Sequence, residues 1–171
     1  MTTSSHGSPA SELYPDLEDE LATTRRMLER FPSGNNDWRP HEKSMTLGRL
    51  AAHVAELPQF GTMLITTNEL DFAASGYKPT TYNTAAELLA VFDEKVKALR
   101  PVLMGADSAT LASPWTMRDG EKVFFTRPKA HLVRQIMINH LVHHRAQLGV
   151  YYRMLDVPVP GSYGPSADEP M

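Results

Sequence analysis

The stretch VRQIMINHLVHHRAQLGVYYRML, residues 133–155, carries the pattern that decides the fold of this chain. Its apolar residues recur every three or four positions, which is typical of a helix with one face turned towards a core. The predicted inward face comprises Val133, Met137, His140, His144, Leu148, Tyr151 and Leu155. Residues four apart lie one above the other on a helix, so the rings of His140 and His144 can reach the same point. An apolar core accepts two imidazoles only if both have partners, and a metal ion would satisfy them.

A third histidine lies on a second predicted helix, TLGRLAAHVAELPQFGTML, residues 46–64. The apolar face of this helix is predicted to contain Leu50, His53, Leu57, Phe60 and Leu64. Histidines from two helices can converge across a helical bundle, and three neutral imidazoles with an open coordination position are typical of a catalytic metal site. We therefore expect His53, His140 and His144 to bind one divalent transition metal ion. Zinc or nickel is favoured, and copper, iron or manganese would also suit these ligands.

Length and composition favour one water-soluble domain. The chain has 171 residues, a formal net charge of −3 and no cysteine. The absence of cysteine excludes disulfides and thiolate metal ligands, and it fits a cytoplasmic protein. The charge gives no reason to expect nucleic-acid binding. No apolar run approaches the roughly 20 residues that a membrane span needs, so no membrane association is expected.

Capping and turn signals divide the chain into four long helices, so the predicted fold class is all-α, a four-helix bundle. The first helix is predicted over 15–31, and the second from Ser44 or Thr46 to about Asn68 with a kink at Pro58. A linker rich in turn residues follows. Thr84 and Glu87 form a capping-box pattern that begins the third helix, which is expected to end at Pro101 or Gly105. The domain prediction is a disordered leader over 1–12, the bundle over 13–156 and an extended tail over 157–171.

Residues 110–126 interrupt the helical pattern. They predict a small β-hairpin between helices three and four, with its turn at Asp119-Gly120. Thr126 is then expected to cap the fourth helix, with Pro128 in the first turn.

Other polar residues near the three histidines receive less specific predictions. His143 points about 100° away from the pair on the helix and is expected to be structural, and His131 is expected at the surface or rim. Glu56 is predicted to be solvated, with a role as a hydrogen-bond acceptor for an imidazole as the alternative. Arg145 is expected in a structural ion pair or at a dimer contact. Further polar residues of the tail, Asp168 and Glu169, could fold back over an open end.

Two other metal-site patterns are excluded by the residues. A zincin site needs His-Glu-x-x-His, and Leu141 stands where the glutamate would be. A ferritin-like di-iron site needs two Glu-x-x-His units and two further glutamates, and the chain lacks such a pair of units. A single metal ion is therefore favoured over two.

The segments MTLGRLAAHVAEL, NHLVHHRAQLGVYYRMLDVPVP and YGPSADE resemble the DinB/YfiT superfamily, over roughly 13–169. The resemblance implies a four-helix bundle, often dimeric, with a metal ion held by one histidine of the second helix and two of the fourth. These positions match His53, His140 and His144. The visible departure is Ala146, where the family often has glycine.

The same resemblance implies a metal-dependent transferase or isomerase that uses a low-molecular-weight thiol, with a metal-assisted hydrolase as the other enzymatic reading. The expected partners are a small-molecule substrate and a second copy of the chain in a homodimer. Two alternatives remain open at this point: a non-catalytic metal-binding stress-response module, and a protein-interaction bundle with a purely structural histidine site.

Overall fold

The computed structural model describes residues 7–170. Its longer helices are α2 (Leu17–Glu29), α3 (Leu47–Glu56), α4 (Pro58–Thr66), α6 (Ala85–Met104) and α9 (His140–Met154). Shorter helices are α1 (Pro9–Leu13), α5 (Phe72–Ser75), α7 (Ser108–Ala112) and α8 (Lys129–Leu132). A π-helical segment, Val133–Asn139, joins α8 to α9. The strands are β1 (Glu69–Asp71), β2 (Pro114–Asp119) and β3 (Lys122–Pro128).

The mostly helical prediction is confirmed, and the caps explain where the helices begin. The Thr46 hydroxyl accepts a hydrogen bond from the Arg49 amide, which begins α3. Thr84 and Glu87 form both hydrogen bonds of the predicted capping box at α6. The second predicted helix is divided into α3 and α4 at Leu57, directly before Pro58, where proline removes a backbone donor.

One core joins the long helices. Helix α6 packs on α2, α3 and α4, while α9 packs on α2 and α3. The large, fully buried side chains of this core include Leu17, Leu28, Leu50, Leu57, Leu64, Leu88, Phe92, Trp115 and Tyr152. Trp38 is partly buried and meets Tyr151 edge to face at a centroid distance of 5.4 Å, so it packs against the edge of this core. Within the described residues, none of the helices combines the length and apolarity that crossing a membrane requires.

The predicted hairpin is part of a three-stranded sheet. Strands β2 and β3 pair antiparallel, and β1 adds parallel to β2 with Glu69 opposite Thr116. The turn lies at Gly120-Glu121, one residue later than predicted, and Gly120 takes a positive φ of 58°. Strand β1 was not predicted, because three residues are too few to show an alternating pattern.

The predicted start of the fourth helix is wrong. Thr126 lies within β3, where its hydroxyl bonds that of Thr116 at 2.8 Å instead of capping a helix. The helix begins at Lys129, whose buried ammonium donates to the Ile65 carbonyl at the end of α4. The π-helical segment was not predicted either, since the apolar spacing of 133–155 fits an ordinary α-helix.

The two ends of the chain compare differently with the predictions. Of the predicted disordered leader, residues 1–6 lie outside the described part, and Pro9–Leu13 is helical instead of disordered. The tail up to residue 170 contains no helix or strand. It folds back: Asp168 pairs with Arg153, and Glu169 pairs with Arg26 and Arg30. Tail residues therefore lie against α2 and α9, away from the cavity described below.

Candidate metal centre

Three histidines meet between α3 and α9. The Nε2 atoms of His53 and His140 lie 3.3 Å apart, and those of His140 and His144 lie 2.8 Å apart. The ring centroids of His53 and His144 are separated by 4.8 Å. One nitrogen from each of the three rings falls within 4.8 Å of the other two. The structure therefore brings together the three residues that the sequence analysis selected.

Hydrogen bonds to the opposite ring nitrogens set the tautomers of His140 and His144. The Nδ1–H of His140 donates to the Ile136 carbonyl at 3.1 Å. The Nδ1–H of His144 donates to Oε1 of Gln147 at 2.6 Å. In a neutral imidazole, a proton on Nδ1 leaves a lone pair on Nε2. Both Nε2 atoms therefore present lone pairs towards each other across 2.8 Å.

The electrostatic environment favours neutral rings. Burial, together with the neighbouring His144 and His140, lowers the pKa of His53 to about 3. Burial also lowers the pKa of His140 and of His144, although the Gln147 hydrogen bond opposes the shift at His144. Metal ligation requires the unprotonated imidazole, so these groups keep their lone pairs at neutral pH.

The donor set fits a metal ion. Metal–nitrogen bonds of about 2.0–2.1 Å place adjacent ligand nitrogens roughly 2.8–3.4 Å apart at tetrahedral or octahedral angles. The Nε2 separations of 2.8 and 3.3 Å lie within that range. Two lone pairs that face each other at 2.8 Å repel unless a cation lies between them, which gives the cluster a physical reason to bind one.

A cavity of about 670 Å³ adjoins the cluster, and His53 and His140 form part of its wall. The rest of the wall is mainly apolar and includes Phe60, Met63, Leu70, Phe72, Met117 and Ile136. Its volume is in the range of small-molecule sites. A molecule in this cavity would therefore lie beside the histidines.

The sequence model of the DinB superfamily matches residues 16–148, which are most of the chain. The chain belongs to the DinB superfamily. Among curated proteins, the comparison finds no match.

Solved structures of DinB-like proteins share the fold. The chain is similar to a DinB-like protein from Bacillus subtilis, with 15% identity and a TM-score of 0.64 over 86% of this chain and 96% of that one. A DinB-like protein from Bacillus cereus has 21% identity and a TM-score of 0.64, over 88% and 95% of the two chains. A proposed member of the DinB family from Exiguobacterium sibiricum has 20% identity and a TM-score of 0.60, over 86% and 91%.

The prediction that Glu56 is solvated is wrong. Its carboxylate is buried, not solvated, and accepts hydrogen bonds from the hydroxyls of Tyr77 and Tyr82, each at 3.2 Å. In the described part of the chain, no imidazole donates to it. The position was recoverable from the sequence, because Glu56 follows His53 by three residues and shares its helix face.

The structure also shows where the other residues near the three histidines lie. His143 is exposed and lies outside the three-histidine group, and His131 is exposed and bonds Gln135. Arg145 is buried and pairs with Glu20, as a structural ion pair should. Ala146 is exposed, so its methyl group does not disturb the core. Gln147 orients His144, a role the sequence analysis missed although the spacing of three residues allows it.

Proposed function

We propose that this protein is a metal-dependent enzyme in which His53, His140 and His144 bind one divalent transition metal ion. Zinc or nickel is the proposed metal. The proposed reaction is a transfer or isomerisation with a low-molecular-weight thiol, or alternatively a hydrolysis. The observation that carries this proposal is the convergence of three imidazole nitrogens at the wall of a cavity large enough for a small molecule.

The chain's own residues would prepare the site. Gln147 and the Ile136 carbonyl hold the rings of His144 and His140 in the tautomer that presents Nε2. The apolar wall would exclude water from a bound substrate and so strengthen electrostatic interactions there. A divalent metal ion, when bound, lowers the pKa of a coordinated water or thiol and makes it a nucleophile near neutral pH.

The cavity favours an enzyme over the non-catalytic stress-response module or a purely structural site. A structural site is normally closed by protein ligands on all sides, whereas a catalytic site keeps an open position. We also propose that the long helices form the predicted four-helix bundle and that the protein is a homodimer. Size-exclusion chromatography with light scattering tests the dimer.

Metal analysis of the full chain, purified without a histidine tag, tests the site. We expect about one metal ion per chain, and the loss of that ion in His140→Ala. His143→Ala is the matched control because it removes a neighbouring imidazole that lies outside the cluster. A metal content that stays at one per chain in His140→Ala would contradict the proposal.

Catalysis is tested separately by thiol consumption with electrophilic substrates and by hydrolysis of activated esters. The metal-loaded protein should show a rate that chelation abolishes and metal restores. Circular dichroism of the chelated protein should keep its helical signal, because a catalytic site can be emptied without unfolding. Loss of the helices on chelation would instead indicate a structural site.

A further inference from the structure

Arg49 lies one helical turn before His53 on α3 and lines the same cavity. Its Nη2 donates to the Tyr77 hydroxyl at 3.3 Å. Its Nη1 is buried and has no hydrogen-bond partner within residues 7–170. Because the Arg49 side chain is part of the cavity wall, its guanidinium favours a ligand that can accept a hydrogen bond and carry negative charge.

No carboxylate of the described residues lies in direct contact with the Arg49 guanidinium. The other ammonium or guanidinium cation in the wall, Lys95, pairs with Glu94 at 3.1 Å. Glu56 is the nearest carboxylate in the hydrogen-bond chain, but the hydroxyls of Tyr77 and Tyr82 occupy its two oxygens. In the part of the chain that the structure describes, no carboxylate forms an ion pair with Arg49. The guanidinium of Arg49 therefore reaches Glu56 only through the Tyr77 hydroxyl and forms no direct ion pair.

The wall and the volume of the cavity indicate the size and polarity of the rest of the ligand. Most of the surface of its wall is apolar, with Phe60, Met63 and Ile136 among the contributors, and its volume of about 670 Å³ suits a body of one or two rings or an alkyl chain. A second buried polar atom in the wall, Oγ1 of Thr62, also has no partner among the described residues. The cavity thus combines an apolar body site with a cationic end.

We propose that the cavity binds an amphipathic carboxylate, a small molecule with an apolar body and one anionic end, and that Arg49 pairs with the carboxylate. If the protein is the proposed enzyme, an amphipathic carboxylate is its substrate class, and that part of the inference rests on the proposed function. The binding itself depends on Arg49 and the apolar wall, and it requires no metal ion. An aryl alkanoate and a medium-chain fatty acid share this chemistry, and separate probes distinguish them.

Calorimetric titration of the full chain tests the assignment. The probes are phenylbutyrate, decanoate and their neutral alcohol analogues, each added to metal-free and to metal-loaded protein. We expect the acid of at least one pair to bind metal-free protein more tightly than its alcohol. Arg49→Gln should weaken binding of that acid about tenfold or more, because a charge-assisted hydrogen bond is lost, and should leave the alcohol within about twofold.

Lys95→Gln is the matched control, since it removes a cavity cation that already has a carboxylate partner. It should leave acid binding within about twofold. Arg49→Lys, which keeps the charge, should retain part of the acid preference and guards against a folding defect in Arg49→Gln. Circular dichroism confirms that each variant is folded.

The outcomes separate this inference from the proposed function. Equal weakening of acid and alcohol in Arg49→Gln, or no binding of any probe, would overturn the anion site. Acid binding that needs metal and survives Arg49→Gln would mean that the carboxylate binds the metal ion, and would also overturn it. Acid binding by a protein that takes up no metal would support the anion site while contradicting the metal centre.

Discussion

His144 and Gln147 lie about one turn apart on α9, and the imidazole Nδ1–H donates to the amide Oε1 at 2.6 Å. This bond directs the Nε2 lone pair of His144 towards His140 and His53. A single amide on the same helix therefore orients one of the three candidate ligands, independently of the packing between helices.

Gln147→Ala should weaken metal binding without unfolding the protein. Loss of an orienting hydrogen bond to a ligand histidine typically costs about 10–100-fold in metal affinity. Competition with a chromophoric chelator measures the change. Gln135→Ala, which removes the partner of the exposed His131, should leave metal affinity unchanged. Equal metal affinity in wild type and Gln147→Ala would show that the tautomer of His144 needs no amide.

Replacing Arg145 by methionine should be strongly destabilising. Arg145 and Glu20 form a buried ion pair with an Nη1–Oε2 distance of 2.7 Å, and only 2% and 9% of the two side chains are exposed. Removal of one partner leaves a buried charge, so the free energy of unfolding should fall by about 3–5 kcal/mol. Urea denaturation measures it.

The double variant Glu20→Gln with Arg145→Met should recover a large part of that loss, because the uncompensated carboxylate is gone. Arg25→Gln breaks an exposed pair with Asp93 and should cost no more than about 1 kcal/mol. If Arg145→Met cost as little as Arg25→Gln, the buried pair would carry no special stability.

Two helical glycines should respond oppositely to alanine. A Cβ at Gly61 would lie 2.5 Å from Cδ1 of Leu99, which is fully buried, so Gly61→Ala should destabilise the core by about 1–3 kcal/mol. A Cβ at Gly149 meets Val159 and Met27 at 3.5 and 3.6 Å, ordinary contact distances. Gly149→Ala should therefore stabilise α9 by about 0.5–1 kcal/mol. Thermal unfolding compares the two variants, and equal signs would contradict the packing at Gly61.

Acid should release the C-terminal tail before it unfolds the core. The hydrogen bond from Arg153 lowers the pKa of Asp168 below 3.8, and the amide of Gly161 lowers that of Glu169 below 4.5. Because both pKa values are lower in the folded state, these carboxylates stabilise the docked tail fully above about pH 4.5. That contribution disappears as the pH falls through the lowered folded values.

Amide hydrogen exchange checks the acid response of the tail. Val159 and Gly161 donate to Asp168 and Glu169, at 2.9 and 3.1 Å, so their amides should lose protection when those carboxylates are protonated. The double variant Asp168→Asn with Glu169→Gln should show low protection even at neutral pH. Protection in wild type that persists to pH 2, corrected for intrinsic exchange, would show that other contacts hold the tail.

Local features of the fold were predictable because local rules set them. The capping box of Thr84 and Glu87, the break before Pro58 and the shared face of His140 and His144 each depend on residues within one or two turns. The cap predicted for Thr126 was wrong because Thr126 pairs with Thr116 on the neighbouring strand, and its hydroxyl bonds that of Thr116. No local pattern around Thr126 indicates this pairing. Strand β1 and the π-helical segment likewise arise from pairing and packing that short sequence windows do not encode.

The sequence by itself determined which residues can serve as metal ligands and that two of them lie on one helical turn, since the period of the helix is a property of the backbone. Only the tertiary structure decided that His53 meets this pair, that Glu56 is buried and bonded by two tyrosine hydroxyls, and that Arg49 lines the cavity without a direct ion pair. Those relationships join segments dozens of residues apart, and their geometry depends on how complete helices pack against one another.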